Sequence, residues 1–272
     1  MNKQTTTRLV LTAATVLAAA LASAALAQTD DKAAAAELAK KLQNPVAALI
    51  SVPIQNNWDF GIGPANAMKY TANVQPVIPI TLSEDWNLIS RTILPVIYAE
   101  SPTVGGSSKT GLGDVLQSLF FSPSKPTSGG WIWGAGPVVL LPSGTDGLSA
   151  HRWAAGPTAL LLKQDSGWTY GILANHLWDF AGGGNADINA TYVQPFVSFT
   201  TKTFTTFGVS TESTYDWNGK QWTVPLIGSV SQLLKIGGKP VQFSLGAKYY
   251  AEKPSGGPEW GLRFTITFLF PK

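Results

Sequence analysis

The sequence predicts an all-β fold, an antiparallel transmembrane β-barrel of about 12 strands with a short N-terminal helix. Three observations predict it. Segments of about ten residues alternate with turn-rich stretches, their connections alternate between long and short, and tryptophan is abundant although few residues are charged. The 272 residues include 10 Trp, and only 13% of them are charged.

Composition excludes several classes of protein. Because the chain has no Cys, it cannot form a disulfide scaffold, a Cys-ligated zinc site, an iron–sulfur cluster or a thiol nucleophile. A hydrophobic content of 44% argues against disorder. The net charge is +3, and Lys3 and Arg8 lie in a segment that we expect to be removed. No basic surface for nucleic acid remains, and we expect neither a nucleic-acid partner nor a cofactor.

The first segment, residues 1–27, has the features of a signal peptide. Lys3 and Arg8 supply a positive start, residues 9–22 form an apolar stretch, and Ala25-Leu26-Ala27 is a small-x-small cleavage signal. The alternative is a membrane anchor, which the short apolar stretch disfavours. We therefore expect cleavage after Ala27 and delivery of the mature chain to the cell outer membrane.

A short periplasmic helical segment is predicted over residues 28–45. Its helix covers 30–43, with acidic residues at the start and lysines at the end, as the helix dipole favours. Asn44-Pro45 ends the helix. One interpretation is a simple tether, and the other is a barrel plug or a partner-binding helix.

The barrel itself is predicted over residues 46–272, where the periodicity changes. Segments rich in Val, Ile, Thr and aromatic residues are separated by clusters of Gly, Pro, Asn, Asp and Ser. A tilted membrane-spanning strand needs roughly 9–11 residues. The predicted strands are Val46–Ile54, Tyr70–Thr81, Trp86–Tyr98, Gly111–Phe121, Trp131–Leu141, Arg152–Lys163, Trp168–Phe180, Ile188–Thr200, Phe204–Tyr215, Gln221–Leu234, Pro240–Tyr250 and Trp260–Phe270.

The predicted connections alternate in length, which is typical of barrels with long outer loops and short periplasmic turns. An even number of strands also leaves both termini on the periplasmic side. The longer connections are Gln55–Lys69, Ala99–Thr110, Pro142–His151, Ala181–Asp187, Asp216–Lys220 and Ala251–Glu259. The shorter ones are Ser83–Asp85, Gln164–Gly167, Thr201–Thr203 and Lys235–Lys239, with Ser122–Gly130 as an exception.

Alternation of apolar and polar residues predicts which face of each strand meets lipid. The last strand, WGLRFTITFLF, alternates until Leu269 breaks the pattern. Trp131–Leu141 and Arg152–Lys163 are apolar on both faces, which predicts a narrow, partly apolar lumen. Prolines count against the prediction because they cannot donate a ladder hydrogen bond. These prolines are Pro76, Pro79, Pro95, Pro137, Pro157, Pro195 and Pro225.

Aromatic residues near the strand ends predict belts at the two membrane surfaces, where amphipathic rings prefer to lie. The alternative is ordinary core tryptophan. The predicted belt residues are Trp58, Tyr70, Trp86, Tyr98, Trp131, Trp133, Trp153, Trp168, Trp178, Trp217, Trp222, Tyr250 and Trp260.

Charged and amide side chains are predicted inside the barrel because they are costly in lipid. They either line a polar path or form an ion-pair network that closes a narrow interior. The candidate lumen-lining residues are Asn73, Gln75, Arg91, Asp114, Gln194, Glu212, Gln242, Lys248 and Arg263.

Catalytic and metal sites are not indicated, and we expect no enzyme activity. The two histidines are His151, in a predicted loop, and His176, beside Asn175. Neither has a serine two residues later, as the twelve-stranded phospholipase pattern requires. Gly182-Gly183-Gly184 lacks the strand–glycine–helix context of a phosphate-binding loop.

Several stretches resemble a family of bacterial outer-membrane proteins classed as transporters. The family is related to the phenol-degradation meta-pathway barrel family, and some members carry the misnomer neuromedin U. The likeness covers nearly the whole mature chain and implies an outer-membrane β-barrel, with no binding residues to carry over. The stretches are LAKKLQNPVAALISVPI (38–54), WGAGPVVLLPSGT (133–145), WTYGILANHLW (168–178), YVQPFVSFTTK (192–202), TESTYDW (211–217) and WGLRFTITFLFPK (260–272).

We therefore expect a channel or transporter for passive passage of small molecules, apolar or aromatic ones included. Its expected partners are outer-membrane lipid, a small-molecule solute and the barrel assembly machinery. One alternative is a structural or surface-interaction barrel without transport. A second alternative is a secreted, soluble all-β binding protein.

Overall fold

The computed structural model describes residues 32–184 and 187–271, so the predicted signal peptide lies outside the described residues. Within these ranges no helix has the length and apolarity that a membrane crossing requires. The elements are α1 (Lys32–Leu42), β1 (Ile50–Ile62), β2 (Ala67–Val74), β3 (Val77–Thr81), β4 (Trp86–Ala99), β5 (Lys109–Leu112), β6 (Val115–Pro123), β7 (Trp131–Leu141), β8 (Arg152–Asp165), β9 (Trp168–Gly182), β10 (Asn189–Thr200), β11 (Thr205–Thr211), β12 (Ser213–Asp216), β13 (Gln221–Ile236), β14 (Lys239–Glu252) and β15 (Trp260–Phe270).

These elements form a closed antiparallel barrel of 12 strands, which confirms the predicted fold class. The pairs β2–β3, β5–β6 and β11–β12 each form one interrupted strand of the barrel: β2 and β3 share both neighbours, as do β11 and β12, and β5 and β6 both pair with β4. β1 pairs with β15, so that Ile54 lies opposite Ile266 and the sheet closes on itself. We call the end where β1 begins and β15 ends the terminal end, and the opposite end the loop end.

Pro76 interrupts the strand formed by β2 and β3 without changing its register. Val74 pairs with Leu94 and Val77 pairs with Arg91, so the two pieces continue the same alternation. The carbonyl oxygen of Pro76 still accepts a hydrogen bond from the Thr92 amide at 3.1 Å. Proline therefore removes one donor from the ladder but leaves the same side chains facing the lumen.

Two Gly-Pro pairs occupy equivalent positions in β7 and β8, where Pro137 lies directly opposite Pro157. The pairings of β7 with β6 and of β8 with β9 both skip these positions. A Cβ at the preceding Gly136 would clash with the Leu119 carbonyl oxygen of the next strand. The prolines are thus accommodated where the ladder is already open, and glycine allows the close approach.

The start of the barrel differs from the prediction. The predicted strand Val46–Ile54 is wrong at its start, because β1 runs over Ile50–Ile62. The long connection predicted over Gln55–Lys69 is also wrong, because β1 extends through most of it and leaves residues 63–66 as the link to β2. Residues 55–59 have the polar composition of a loop. In β1, however, polar side chains that face the lumen alternate with residues that face outward, such as Trp58.

Aromatic rings on the outer face gather near both ends of the barrel, as predicted. Tyr250 is an exception, because it faces the lumen and donates a hydrogen bond to Asp59 Oδ1 at 2.9 Å. Ring pairs toward the loop end are Trp58–Tyr70 (5.2 Å between centroids), Phe60–Trp260 (4.4 Å) and Tyr215–Trp217 (4.8 Å). Pairs toward the terminal end are Trp86–Trp133 (5.8 Å), Trp131–Tyr170 (6.0 Å) and Trp168–Phe199 (5.0 Å).

Two groups of polar side chains face outward between these belts and bond to each other. Tyr70 Oη donates to Asn56 Oδ1 at 2.7 Å. Thr92 Oγ1 donates to Gln117 Oε1 at 2.6 Å, and Gln117 Nε2 donates to Ser90 Oγ at 3.1 Å. Such internal pairing lowers the cost of polar groups in apolar surroundings.

Candidate functional site

A segment that precedes the barrel folds into its terminal end. This plug segment, residues 38–49, comprises the second half of α1 and the link to β1. A buried cluster holds it against the wall and consists of Ala39, Ala47, Leu49, Leu233 and Leu269. Leu269, which breaks the alternation of its strand, therefore faces inward and packs beneath the plug segment.

A turn at the tip of the plug segment inserts Val46 into the lumen. The Val46 amide donates to Asn44 Oδ1 at 3.0 Å, and the Ala47 amide donates to the Asn44 carbonyl oxygen at 3.0 Å. Asparagine followed by proline is typical of the first two positions of such a turn. Val46 packs into a cluster of inward-facing residues from β4, β6, β8 and β9, which are Ile89, Phe120, Leu160, Leu162 and Leu173.

The contact with Val46 explains why β7 and β8 are apolar on both faces. Leu160 and Leu162 face inward beneath the plug segment and are almost fully buried. Gly134 faces inward beside them, and a Cβ at this position would lie 3.3 Å from Val46 Cγ1. Any side chain at position 134 would contact Val46, so the glycine leaves room for the turn at this depth.

Few polar contacts fix the plug segment to the wall. Gln164 Nε2 donates to the Lys40 carbonyl oxygen at 2.8 Å, and Ser198 Oγ donates to Gln43 Oε1 at 3.2 Å. In the described part of the chain, no ion pair joins residues 34–49 to the strands. The plug segment is held mainly by apolar packing, whereas the strands share continuous hydrogen-bonded ladders.

The polar side of the lumen lies on β15, β1, β2 and β4. Gln55 Oε1 accepts hydrogen bonds from Asn73 Nδ2 at 3.4 Å and from Gln75 Nε2 at 3.0 Å. Arg91 Nη2 donates to Gln75 Oε1 at 2.9 Å. These contacts link three neighbouring strands of the barrel into one hydrogen-bonded row.

An ion pair crosses one side of the lumen. Arg263 on β15 donates from Nη1 and Nη2 to the two carboxylate oxygens of Glu212, each at 2.7 Å. Glu212 lies between β11 and β12, so the pair bridges the two intervening strands β13 and β14. Arg263 Nε also donates to Asn57 Oδ1 at 2.8 Å. We call this bidentate contact the cross-lumen ion pair.

A second ion pair lies beside the first. Lys248 Nζ is 2.5 Å from Asp59 Oδ1 and 3.5 Å from Asn57 Oδ1, and its side chain is almost fully buried. Asn57 thus contacts both cations, Arg263 and Lys248. The two ion pairs form one network inside the barrel, which lies nearer the loop end than the cavity described below.

Asp114 lies apart from the other predicted lumen residues. It occupies the break between β5 and β6, where it accepts hydrogen bonds from the Gly144 amide (3.0 Å), Ser149 Oγ (2.6 Å) and the Ala150 amide (2.7 Å). Its carboxylate therefore anchors the connection between β7 and β8 at the loop end.

The remaining predicted residues are brought together inside the barrel, along with four that the sequence interpretation missed. Gln55, Asn57 and Asp59 fall in the stretch that the sequence predicts as a connection, and extending the two-residue alternation of the first strand to Ile62 places all three inward. Tyr192, which donates to Gln194 Oε1 at 3.0 Å, was read as part of a strand without a lumen role.

A cavity of about 280 Å³ remains between the plug segment and the wall. Its polar side carries an arginine and three glutamines, and its apolar side carries residues of β3, β9 and β10. The wall residues that matter here are Gln75, Val77, Arg91, Leu173, Gln194, Phe196 and Gln242, and the plug segment contributes residues 41–49 except Val46 and Ala48.

Neither histidine belongs to this cavity. His176 faces outward, with Nδ1 2.7 Å from Thr191 Oγ1 and its ring centroid 3.9 Å from that of Trp178. Thr191 Oγ1 also accepts a hydrogen bond from Trp217 Nε1 at 2.8 Å. His151 Nε2 lies 3.2 Å from Asp146 in an exposed loop. Across the described ranges, no three His, Asp or Glu side chains cluster as metal ligands.

Comparison with known proteins shows similarity of fold. No protein-family model and no curated protein sequence matches the chain. An outer membrane channel from Pseudomonas putida F1 superposes with a TM-score of 0.64 at 13% identity, over 82% of this chain and 96% of that chain. The NanC porin gives a TM-score of 0.53 at 13% identity, over 80% and 98%. Outer membrane phospholipase A from Escherichia coli gives 0.53 at 11% identity, over 85% and 97%. At such low identity, these likenesses establish the shared barrel fold alone.

Proposed function

We propose that this protein is an outer-membrane channel for passive passage of small solutes, and that residues 38–49 close it reversibly. The observation that carries the proposal is the plug segment itself. It fills the terminal end of a closed barrel through apolar contacts and leaves a lined cavity beside it. A barrel that served only as a rigid scaffold has no need for a separate segment with so few polar ties to the wall.

Placement in an outer membrane is supported by the outer surface. Large apolar side chains such as Ile78, Leu94 and Val209 are well exposed there, between two belts of aromatic rings. In water, so large an apolar surface would promote association. The fold shared with the Pseudomonas putida channel and the NanC porin supports the same placement.

Passage through the lumen requires the plug segment to move. Burying the Val46 side chain contributes roughly 1.5–3 kcal/mol by area. Reversible closure requires the open state to lie within a few kcal/mol of the closed one, which corresponds to a population of about 0.1–10%. The two ion pairs toward the loop end then set the narrowest part of the path.

Liposome swelling tests the proposal with the wild-type chain, reconstituted after its folding is verified by heat-dependent gel migration. We expect slow uptake of small neutral solutes such as glycerol and arabinose, and no uptake of a disaccharide. Protein-free liposomes prepared in the same detergent give the baseline. Arabinose uptake equal to this baseline, for wild type and for the plug variant described in the Discussion, would contradict the channel and favour a structural or surface-interaction barrel.

A further inference from the structure

One arginine in the lumen differs from the other cations there. Arg263 and Lys248 each contact a carboxylate, Glu212 and Asp59 respectively. Arg91 has no carboxylate within 4 Å among residues 32–184 and 187–271, and its one hydrogen bond runs from Nη2 to Gln75 Oε1. Its Nε and Nη1 donors remain available where the side chain borders the cavity.

Two glutamine amides add donors to the same cavity. Gln242 is more than nine-tenths buried, and its side-chain amide makes no hydrogen bond to any other described residue. Gln194 uses Oε1 to accept from Tyr192, which leaves its amide nitrogen without a protein acceptor in the described chain. Both side chains line the cavity, so water or a ligand there can satisfy their amides.

The charge and shape of the cavity select a class of ligand. The charges inside the barrel near the cavity are Arg91, Arg263 and Lys248 against Asp59 and Glu212, so one positive charge is left over. Lys41 of the plug segment also borders the cavity, but Glu37 lies 3.6 Å from its Nζ. One uncompensated guanidinium matches one carboxylate, which it binds in a planar, two-pronged geometry.

The opposite side of the cavity is apolar. Val77, Leu173 and Phe196 line it, so the part of a ligand that points away from Arg91 meets hydrocarbon. A doubly charged anion such as phosphate would leave one charge unpaired against this side, which is costly. The volume of about 280 Å³ lies just below the usual range of ligand pockets, roughly 300–1,000 Å³, which limits the ligand to a small molecule.

We propose that Arg91, Gln194 and Gln242 form a binding site for a small monocarboxylate with an apolar body. The site lies directly above the plug segment, so a bound carboxylate contacts both the wall and the part that moves. Where it names the solute class of the channel, this inference rests on the proposed function. The binding site itself does not require conduction.

Titration calorimetry of the full mature chain in detergent tests the site, with benzoate and its neutral analogue benzamide as probes. We expect saturable benzoate binding, and binding of benzamide at least tenfold weaker. Arg91→Gln should weaken benzoate at least tenfold and leave benzamide unchanged, and Arg91→Lys should restore part of the preference. Lys163→Gln is the matched control, because its ammonium lies on the outer face, 5.9 Å from the Trp131 ring centroid.

Three results would overturn the site, namely no saturable benzoate binding, equal binding of benzoate and benzamide, or equal benzoate binding by wild type and Arg91→Gln. Heat-dependent gel migration of each variant verifies that the barrel is folded. The liposome measurement separates the two proposals. Arg91-dependent binding without solute uptake would leave the site intact and remove the channel, whereas uptake without this binding would remove the site alone.

Discussion

Replacing Val46 by aspartate should open the lumen and raise single-channel conductance severalfold over wild type in planar bilayers. Val46 is 5% exposed and surrounded by Ile89, Phe120 and Leu173. A carboxylate placed there enters a mostly apolar pocket, and its desolvation opposes the seating of the plug segment. We expect the turn to leave the lumen while the strands keep their pairing.

The matched control for this variant is Ala48→Asp. Ala48 lies two residues away in the same plug segment but is exposed, so the same charge there costs little. Both variants should keep heat-dependent gel migration, because neither residue belongs to a strand. Equal conductance of the two variants would show that the insertion of Val46 does not close the lumen.

Replacing Glu212 by glutamine should give the largest loss of stability, on the order of 3 kcal/mol in the free energy of unfolding, because it leaves Arg263 without its carboxylate in a mostly buried site. Urea titration in lipid vesicles, followed by tryptophan fluorescence, measures the change. The same variant should also widen the lumen, because it removes the ion pair that joins β15 to the break between β11 and β12.

Glu84→Gln serves as the control, since Glu84 lies in an exposed turn and should change stability by no more than about 0.5 kcal/mol. The double variant Glu212→Gln with Arg263→Gln should recover part of the loss, because no unpaired charge remains. If Glu212→Gln is as stable as Glu84→Gln, the cross-lumen ion pair does not add to the free energy of unfolding as its geometry indicates.

Much of the wall could be predicted from local pattern because a strand with one polar face has a two-residue period. The predicted strand Trp131–Leu141 coincides with β7, and Arg263, Lys248 and Gln242 were assigned to the lumen from their neighbours alone. The continuity of the strand across Pro76 was harder to predict. Pairing across neighbouring strands, which local sequence does not contain, shows that the alternation continues past this residue.

The closure of the lumen could not be predicted, because it depends on contacts between distant parts of the chain. Leu269 breaks the alternation of its strand because it packs against Ala39, in a helix more than 200 residues earlier in the sequence. Val46 was assigned to the first strand because Val-rich sequence favours strands, although Asn44-Pro45 marks a turn. That turn was read as the end of the helix, and its role inside the barrel follows only from the closed fold.

The reversible movement of the plug segment is the central claim, and a disulfide between Val46→Cys and Gly134→Cys tests it most directly. The wild-type chain has no Cys, and a Cβ at position 134 lies 3.3 Å from Val46 Cγ1, so side chains at the two positions are in contact. The two single variants are the controls. The claim predicts no conductance with the bond formed and recovery to the level of the single variants on reduction. Conductance that is the same before and after reduction, with the bond verified by gel shift, would contradict it.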